Sequence, residues 1–162
     1  VARGGWSRTR DFQALAQKLL QRSHSSSFAP AAIQQELAWL LATCPVLELR
    51  DGERALSIAT GLCERNPRHD ENQHARAAAY LELHDYTEAV AAAEMARGDD
   101  GHGGDVYEFT LLALANAGLG DTDAANQWQK KALAAYDEQR YPLDQGLRAL
   151  VQELNMNTRD GS

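Results

Sequence analysis

ARAAAYLELHDYTEAVAAAEMA, residues Ala75 to Ala96, reads as two short helices folded back on each other. Ala77, Tyr80, Leu81 and Leu83 stripe the first half at helical spacing, and Tyr86, Ala89, Val90, Ala93 and Ala96 stripe the second. His84 and Asp85 interrupt the pattern. Asp85 is placed to cap the second helix with its carboxylate. Glu88, three residues on, completes a capping-box pattern in which two otherwise unpaired backbone N–H groups gain acceptors.

The unit recurs. Setting Asp121 on Asp85 places Ala113 on Ala77, Gly120 on His84, Ala125 on Ala89 and Ala132 on Ala96, all at one offset of 36 residues within LLALANAGLGDTDAANQWQKKA (Leu111 to Ala132). Upstream, an offset of 34 carries Ala89 to Ala55, and Asn66-Pro67 falls where that second helix should stop. A period of this size marks a helical-repeat array.

Composition agrees. Twenty-eight alanines, few β-branched residues and four prolines in 162 residues favour one all-helical domain over a sheet protein. The net charge of −7 argues against non-specific nucleic-acid binding, and the arginines of Arg3 to Arg10 and Arg140 to Arg148 are too sparse to form a basic patch. No stretch approaches the roughly 18 apolar residues of a membrane span, so a soluble, cytoplasmic protein is expected. Three arginines and no apolar run in the first ten residues argue against a secretory signal, and the missing initiator Met suggests one part of a longer chain.

Along the chain, residues 1 to 29 are read as an arm, a helix from Arg10 to about Arg22 striped by Phe12, Leu15, Ala16, Leu19 and Leu20, and a Ser-rich linker. Residues 30 to 155 form the repeat domain, with Pro30 in the first turn of its first helix. The second helix of the third unit is expected to continue to about Gln139. Pro142 then opens a last helix through Leu154 that covers the last repeat, and residues 156 to 162 fray.

LAWLLATCP (Leu37 to Pro45), the turn RDGERAL and the Asn66-Pro67 stop resemble the first unit of tetratricopeptide repeats found in bacterial proteins. AAAYLELHDYTEAV is similar to the second repeat, and FTLLALANAGLGDTDAANQWQKKAL to the third. The resemblance implies a right-handed superhelical stack of about three helical hairpins, with a flanking N-terminal helix and a C-terminal capping helix. Small residues at Ala38, Ala77 and Ala113 on the first helices, and at Ala55, Ala89 and Ala125 on the second, would let the backbones approach closely. Trp39, Leu41, Tyr80 and Leu112 would fill the space between units. Arg76 stands where the family prefers an apolar residue, and His84 where it prefers glycine for a positive φ.

Catalytic and metal motifs are wanting. The five histidines make no HExxH or His-x-His pattern and are expected on the solvated surface; no metal or cofactor is expected. Cys44 and Cys63 lie outside any CxxC motif. They should sit at opposite ends of a hairpin, roughly 15–20 Å apart at 1.5 Å per residue, as unbonded, half-buried thiols. Serine nucleophile motifs are missing, and GDDGHGG (Gly98 to Gly104) lacks the lysine of a phosphate loop.

The expectation is therefore a non-catalytic protein-interaction module. A self-assembly module, or a metal-dependent or enzymatic helical domain, stands as the alternative. By the family's register, a concave groove would be lined by Gln35, Trp39 and Thr43, by Glu71, His74, Ala78 and Glu82, and by Tyr107, Thr110 and Leu114, with Gly118 at its end. Trp39 and Leu114 have an alternative reading as core between stacked helices. Two carboxylates and no lysine or arginine, apart from Arg76 if its stem reaches round, suit a basic partner segment flanked by apolar residues. Protonation of His74 should weaken such binding below about pH 6.5.

Overall fold

A computed structural model describes residues 30–97, 104–137 and 144–157. The described residues are all-helical. The chain order is α1 (Ala31–Thr43), a 3-10 turn (Leu47–Leu49), α2 (Gly52–Arg65), α3 (Asp70–Glu82), α4 (Tyr86–Arg97), α5 (Val106–Leu119), α6 (Thr122–Ala135) and α7 (Gln145–Asn157). The expected helix from Arg10 to Arg22, the Ser-rich linker, Pro142 and residues 158–162 lie outside the described residues, as does most of the Gly98 to Gly104 loop.

Several helix starts are capped by acids, whereas α1 and α3 follow Pro30 and His69 with no side-chain cap. Asp51 accepts from the Arg54 N–H and Asp121 from the Ala124 N–H, each at 3.0 Å. At Asp85 the Glu88 N–H reaches Oδ1 at 3.4 Å. Asp105 and Glu108 form a complete capping box on α5, which had not been read from the sequence.

Helix ends repeat as the offset of 36 required. After α3, the Asp85 N–H reaches back to Tyr80 O (2.9 Å) and the His84 N–H to Leu81 O (3.0 Å). After α5, the Asp121 N–H binds Asn116 O (3.0 Å) and the Gly120 N–H binds Ala117 O (3.1 Å). Both are Schellman closures, which need a left-handed residue. Gly120 supplies it at φ 79° without strain, and His84 at φ 60° with a Cβ that disfavours it.

Consecutive helices pair as α1/α2, α3/α4 and α5/α6, while α1, α3 and α5 lie side by side, α2 packs on α3 and α4 on α5. Close approach follows from small side chains: Ala38, Ala55, Ala77 and Ala89 are 0 % exposed and Ala113 is 1 %. Ala125 departs from this series and is only partly buried, because among the described residues no further hairpin covers α6. Leu41, Leu62, Leu111 and Leu112 are buried, each contributing about 1.5–3 kcal/mol relative to exposure. Trp39 and Tyr80 pack half-buried against them.

Several boundaries are corrected. Pro30 precedes α1 rather than sitting in its first turn; its carbonyl accepts from the Ile33 and Gln34 N–H groups. α6 ends at Ala135, not near Gln139, with Tyr136 already extended. The last helix runs beyond Leu154 to Asn157, so Met156 and Asn157 are helical. Both cysteines are free and fully buried rather than half-buried.

The last helix, α7, packs on the last repeat as expected, more on α5 than on α6, but it also reaches back onto α1. Leu150 and Leu154 enter the main core with Leu37, Leu41 and Ala42, while Leu147 and Val151 pack with Val106 beside Trp39 and Tyr107. The physical reason is fit: α1, α3 and α5 present an apolar trough, and α7 carries a matching stripe.

Candidate functional site

On α1, α3 and α5 most of the residues expected to line a groove are already engaged. Gln35 donates to Glu71 Oε2 across two helices at 2.7 Å. Trp39 Nε1 donates to Asp144 Oδ1 (3.2 Å) and the Tyr107 hydroxyl to Asp144 Oδ2 (2.6 Å), so one carboxylate at the start of α7 takes both groove aromatics. The same carboxylate accepts the Leu147 N–H at 2.8 Å and so caps α7. Gly146 permits the approach. A Cβ there would overlap Thr43 Oγ1 and stand 2.7 Å from Trp39 Nε1.

Thr43 and Thr110 are buried, each hydroxyl donating to the carbonyl four residues earlier, Trp39 O at 2.7 Å and Val106 O at 2.6 Å. They are structural positions, not contact residues. Trp39 combines both readings: its ring packs edge-on to Tyr107 at 5.5 Å and against the core, and its polar edge serves α7.

His74 is the clearest correction among the histidines. It is 5 % exposed, stacked on Tyr107 at 5.4 Å, and its Nε2 lies 2.8 Å from Glu108 Oε1. The other Glu108 oxygen accepts the Asp105 N–H at 2.6 Å. Burial would raise the Glu108 carboxyl, but the bonds from His74 and Asp105 outweigh it and bring it down to about 2. Burial and the adjacent Glu108 push Asp105 the other way, up to about 6. His74, Asp105 and Glu108 form a group among the described residues whose ligand atoms lie within 4.8 Å of one another. The capping box and the His74 contact tie the three together, so the cluster links α3 to the start of α5. Nothing local in the sequence pairs His74 with Glu108, 34 residues further on.

What stays open is a cavity of about 550 Å³ towards the ends of α1, α3 and α5, with α7 as one wall. Ala78, Glu82, Leu114 and Gly118 line it as expected; Ala42, Arg50, Leu81, His84, Tyr86, Ala117, Leu150 and Glu153 are additions. A Cβ at Gly118 would collide with the Tyr86 ring, so glycine there lets that ring close the end of the cavity.

Arg50 organises the polar wall. Its Nε donates to Cys44 O (2.8 Å), Nη1 to Glu82 Oε2 (2.8 Å) and Nη2 to Glu153 Oε1 (3.0 Å). The expected groove without arginine is thereby corrected, and by Arg50 from the α1–α2 connection. Arg76 turns away instead, towards Met95 Sδ on α4 at 3.3 Å. Sequence reasoning missed Arg50 because nothing local ties it to residues 32 and 103 positions away.

Comparison with protein-family models, with curated proteins and with solved structures finds no match. No helix among the described residues is long and apolar enough to cross a membrane.

Proposed function

We propose that this chain is a non-catalytic protein-interaction module of tetratricopeptide-like architecture, which holds a segment of a partner protein at the open end of the face formed by α1, α3 and α5. One observation carries the reading. That face already seats a helix of its own chain, α7, through apolar contacts and side-chain hydrogen bonds, and beside α7 it keeps a cavity of about 550 Å³ with apolar and charged walls. The repeated Schellman closures and the buried alanines of the hairpins support the repeat architecture, in which such stacks wind as right-handed superhelices.

The chemistry at the site suits holding rather than turnover. Burial raises the pKa of both thiols, Cys44 and Cys63, which keeps them from the reactive thiolate form. The two lining carboxylates are clamped on one guanidinium.

A peptide-display screen on the full chain, followed by titration of the best binder against Glu82→Lys and Leu114→Arg, tests the proposal. Both substitutions should weaken binding at least tenfold while the helical signal persists. Parent-like binding by both would move the partner to another face.

A further inference from the structure

Arg50, Glu82 and Glu153 meet at the cavity, one guanidinium against two carboxylates, an excess of one negative charge with the lining His84 neutral. Each carboxylate spends one oxygen on Arg50, Glu82 through Oε2 and Glu153 through Oε1, and the second oxygen of each has no hydrogen-bond partner among the described residues. Their side chains are 27 % and 42 % exposed, against 10 % for Arg50, so the acids face the opening and the guanidinium lies behind them.

A second, independent feature has the same sign. Ala42, Glu82 and Ala117 belong to the last turns of α1, α3 and α5, which end at Thr43, Glu82 and Leu119. Three helix C-termini, each carrying partial negative charge from its peptide dipoles, therefore converge on this space, offset in part by the N-terminus of α4, whose first residue Tyr86 also lines it. Of the remaining walls, Leu81, Leu114 and Leu150 are apolar, while His84 and Tyr86 add an imidazole and a phenol. A cation on a hydrocarbon stem satisfies both halves of such a site, whereas an anion meets repulsion and a purely apolar group leaves two acceptors without a partner.

Resting on the interaction-module reading above, we propose that the cavity takes one basic side chain of the partner segment, arginine or lysine, with its stem against the three leucines and its cation between Glu82 and Glu153. α7 remains in place as a wall and supplies one of the two acids.

NMR titration of the isotopically labelled full chain tests this with four probes: the acetylated amides Leu-Arg-Leu and Leu-Gln-Leu, butylguanidinium, and pentanoate. Leu-Arg-Leu should shift the amides of Leu81, Leu114 and Leu150 and bind at least tenfold more tightly than Leu-Gln-Leu, and pentanoate should leave them unmoved. Glu82→Gln and Glu153→Gln keep an acceptor for Arg50, so the fold should persist while affinity for Leu-Arg-Leu falls about three- to tenfold in each. Equal binding of the Arg and Gln peptides, shifts elsewhere, or indifference to both substitutions would overturn the inference. Butylguanidinium binding as tightly as the Arg peptide would also overturn it, in favour of a free small cation as ligand. Displayed peptides that bind this face without a basic residue would defeat the inference and leave the interaction module standing. If no displayed peptide binds while Leu-Arg-Leu behaves as stated, the module reading fails and the cation preference stands.

Discussion

Replacing Gly146 with alanine asks whether α7 is seated on α1. The added Cβ would overlap Thr43 Oγ1, lie 2.7 Å from Trp39 Nε1 and 3.0 Å from Thr43 Cβ. Since Thr43 is buried, it has little room to yield, and α7 must lift, stretching the bonds from Trp39 and Tyr107 to Asp144. Overpacking of this kind costs about 1–3 kcal/mol. Alanine recovers at most about 0.5–1 kcal/mol of backbone entropy, and less here because Gly146 is only the second residue of α7. The net effect is a loss of about 1–2 kcal/mol, which for a chain of this size lowers the melting temperature by roughly 2–4 °C per kcal/mol. Gly61, in the middle of α2, is the matched control. A Cβ there meets nothing within 4 Å, so Gly61→Ala should raise the melting temperature through helix propensity, by about 0.5–1 kcal/mol. Calorimetry or circular dichroism on both variants gives opposite signs if the geometry is right. Adding Thr43→Ala to Gly146→Ala removes the first clash and should recover part of the loss, visible as coupling in a double-mutant cycle. A Gly146→Ala variant that melts at or above the parent would refute the placement of α7 in the trough.

Three other expectations follow from single positions. His84→Gly relieves a left-handed backbone held by an L-residue and should stabilise the chain by up to about 1 kcal/mol, less whatever its edge contact with Tyr86 contributes; chemical denaturation measures it. Asp105, raised to about 6 from 3.8, binds its proton more tightly folded than unfolded, so its contribution is full below the ordinary carboxyl range and lost as pH climbs through about 6. Asp105→Asn keeps a good helix cap, so its stability relative to the parent should be greatest near pH 7–8 and shrink towards pH 5; a pH-independent difference in melting temperature would contradict the cause assigned to the shift. Ala113→Leu, at a position 1 % exposed between α5 and its neighbours, should cost about 1–3 kcal/mol in thermal or denaturant melts, whereas Ala125→Leu on the less covered α6 should be near neutral.

The helices and part of their capping were legible in the sequence because each depends on residues within about four positions of one another, although the equally local Asp105–Glu108 box is not among the caps read there. Asp85 caps through the Glu88 N–H as its spacing implied, though its own N–H goes to Tyr80 O and the box with Glu88 stays half-made. Asp51 and Asp121 repeat the cap, and His84 and Gly120 adopt the same left-handed turn one period apart. The alanine positions that allow hairpins to close were legible for the same reason, since small size at a fixed register is a local property. The partners of the polar groups were not. Trp39 meets Asp144 across 105 residues, Arg50 meets Glu153 across 103, and His74 meets Glu108 across 34. Local patterning shows that α7 has an apolar stripe and that α1, α3 and α5 share an apolar face; it does not say that the two belong to each other. That choice was made only by the tertiary structure, where the absence of a side chain at Gly146 lets α7 sit on Thr43 and its leading carboxylate reach two aromatic donors at once. Hydrophobic periodicity specifies that a face must be covered, while steric fit and hydrogen-bond pairing between residues distant in the chain decide what covers it and which part is left open.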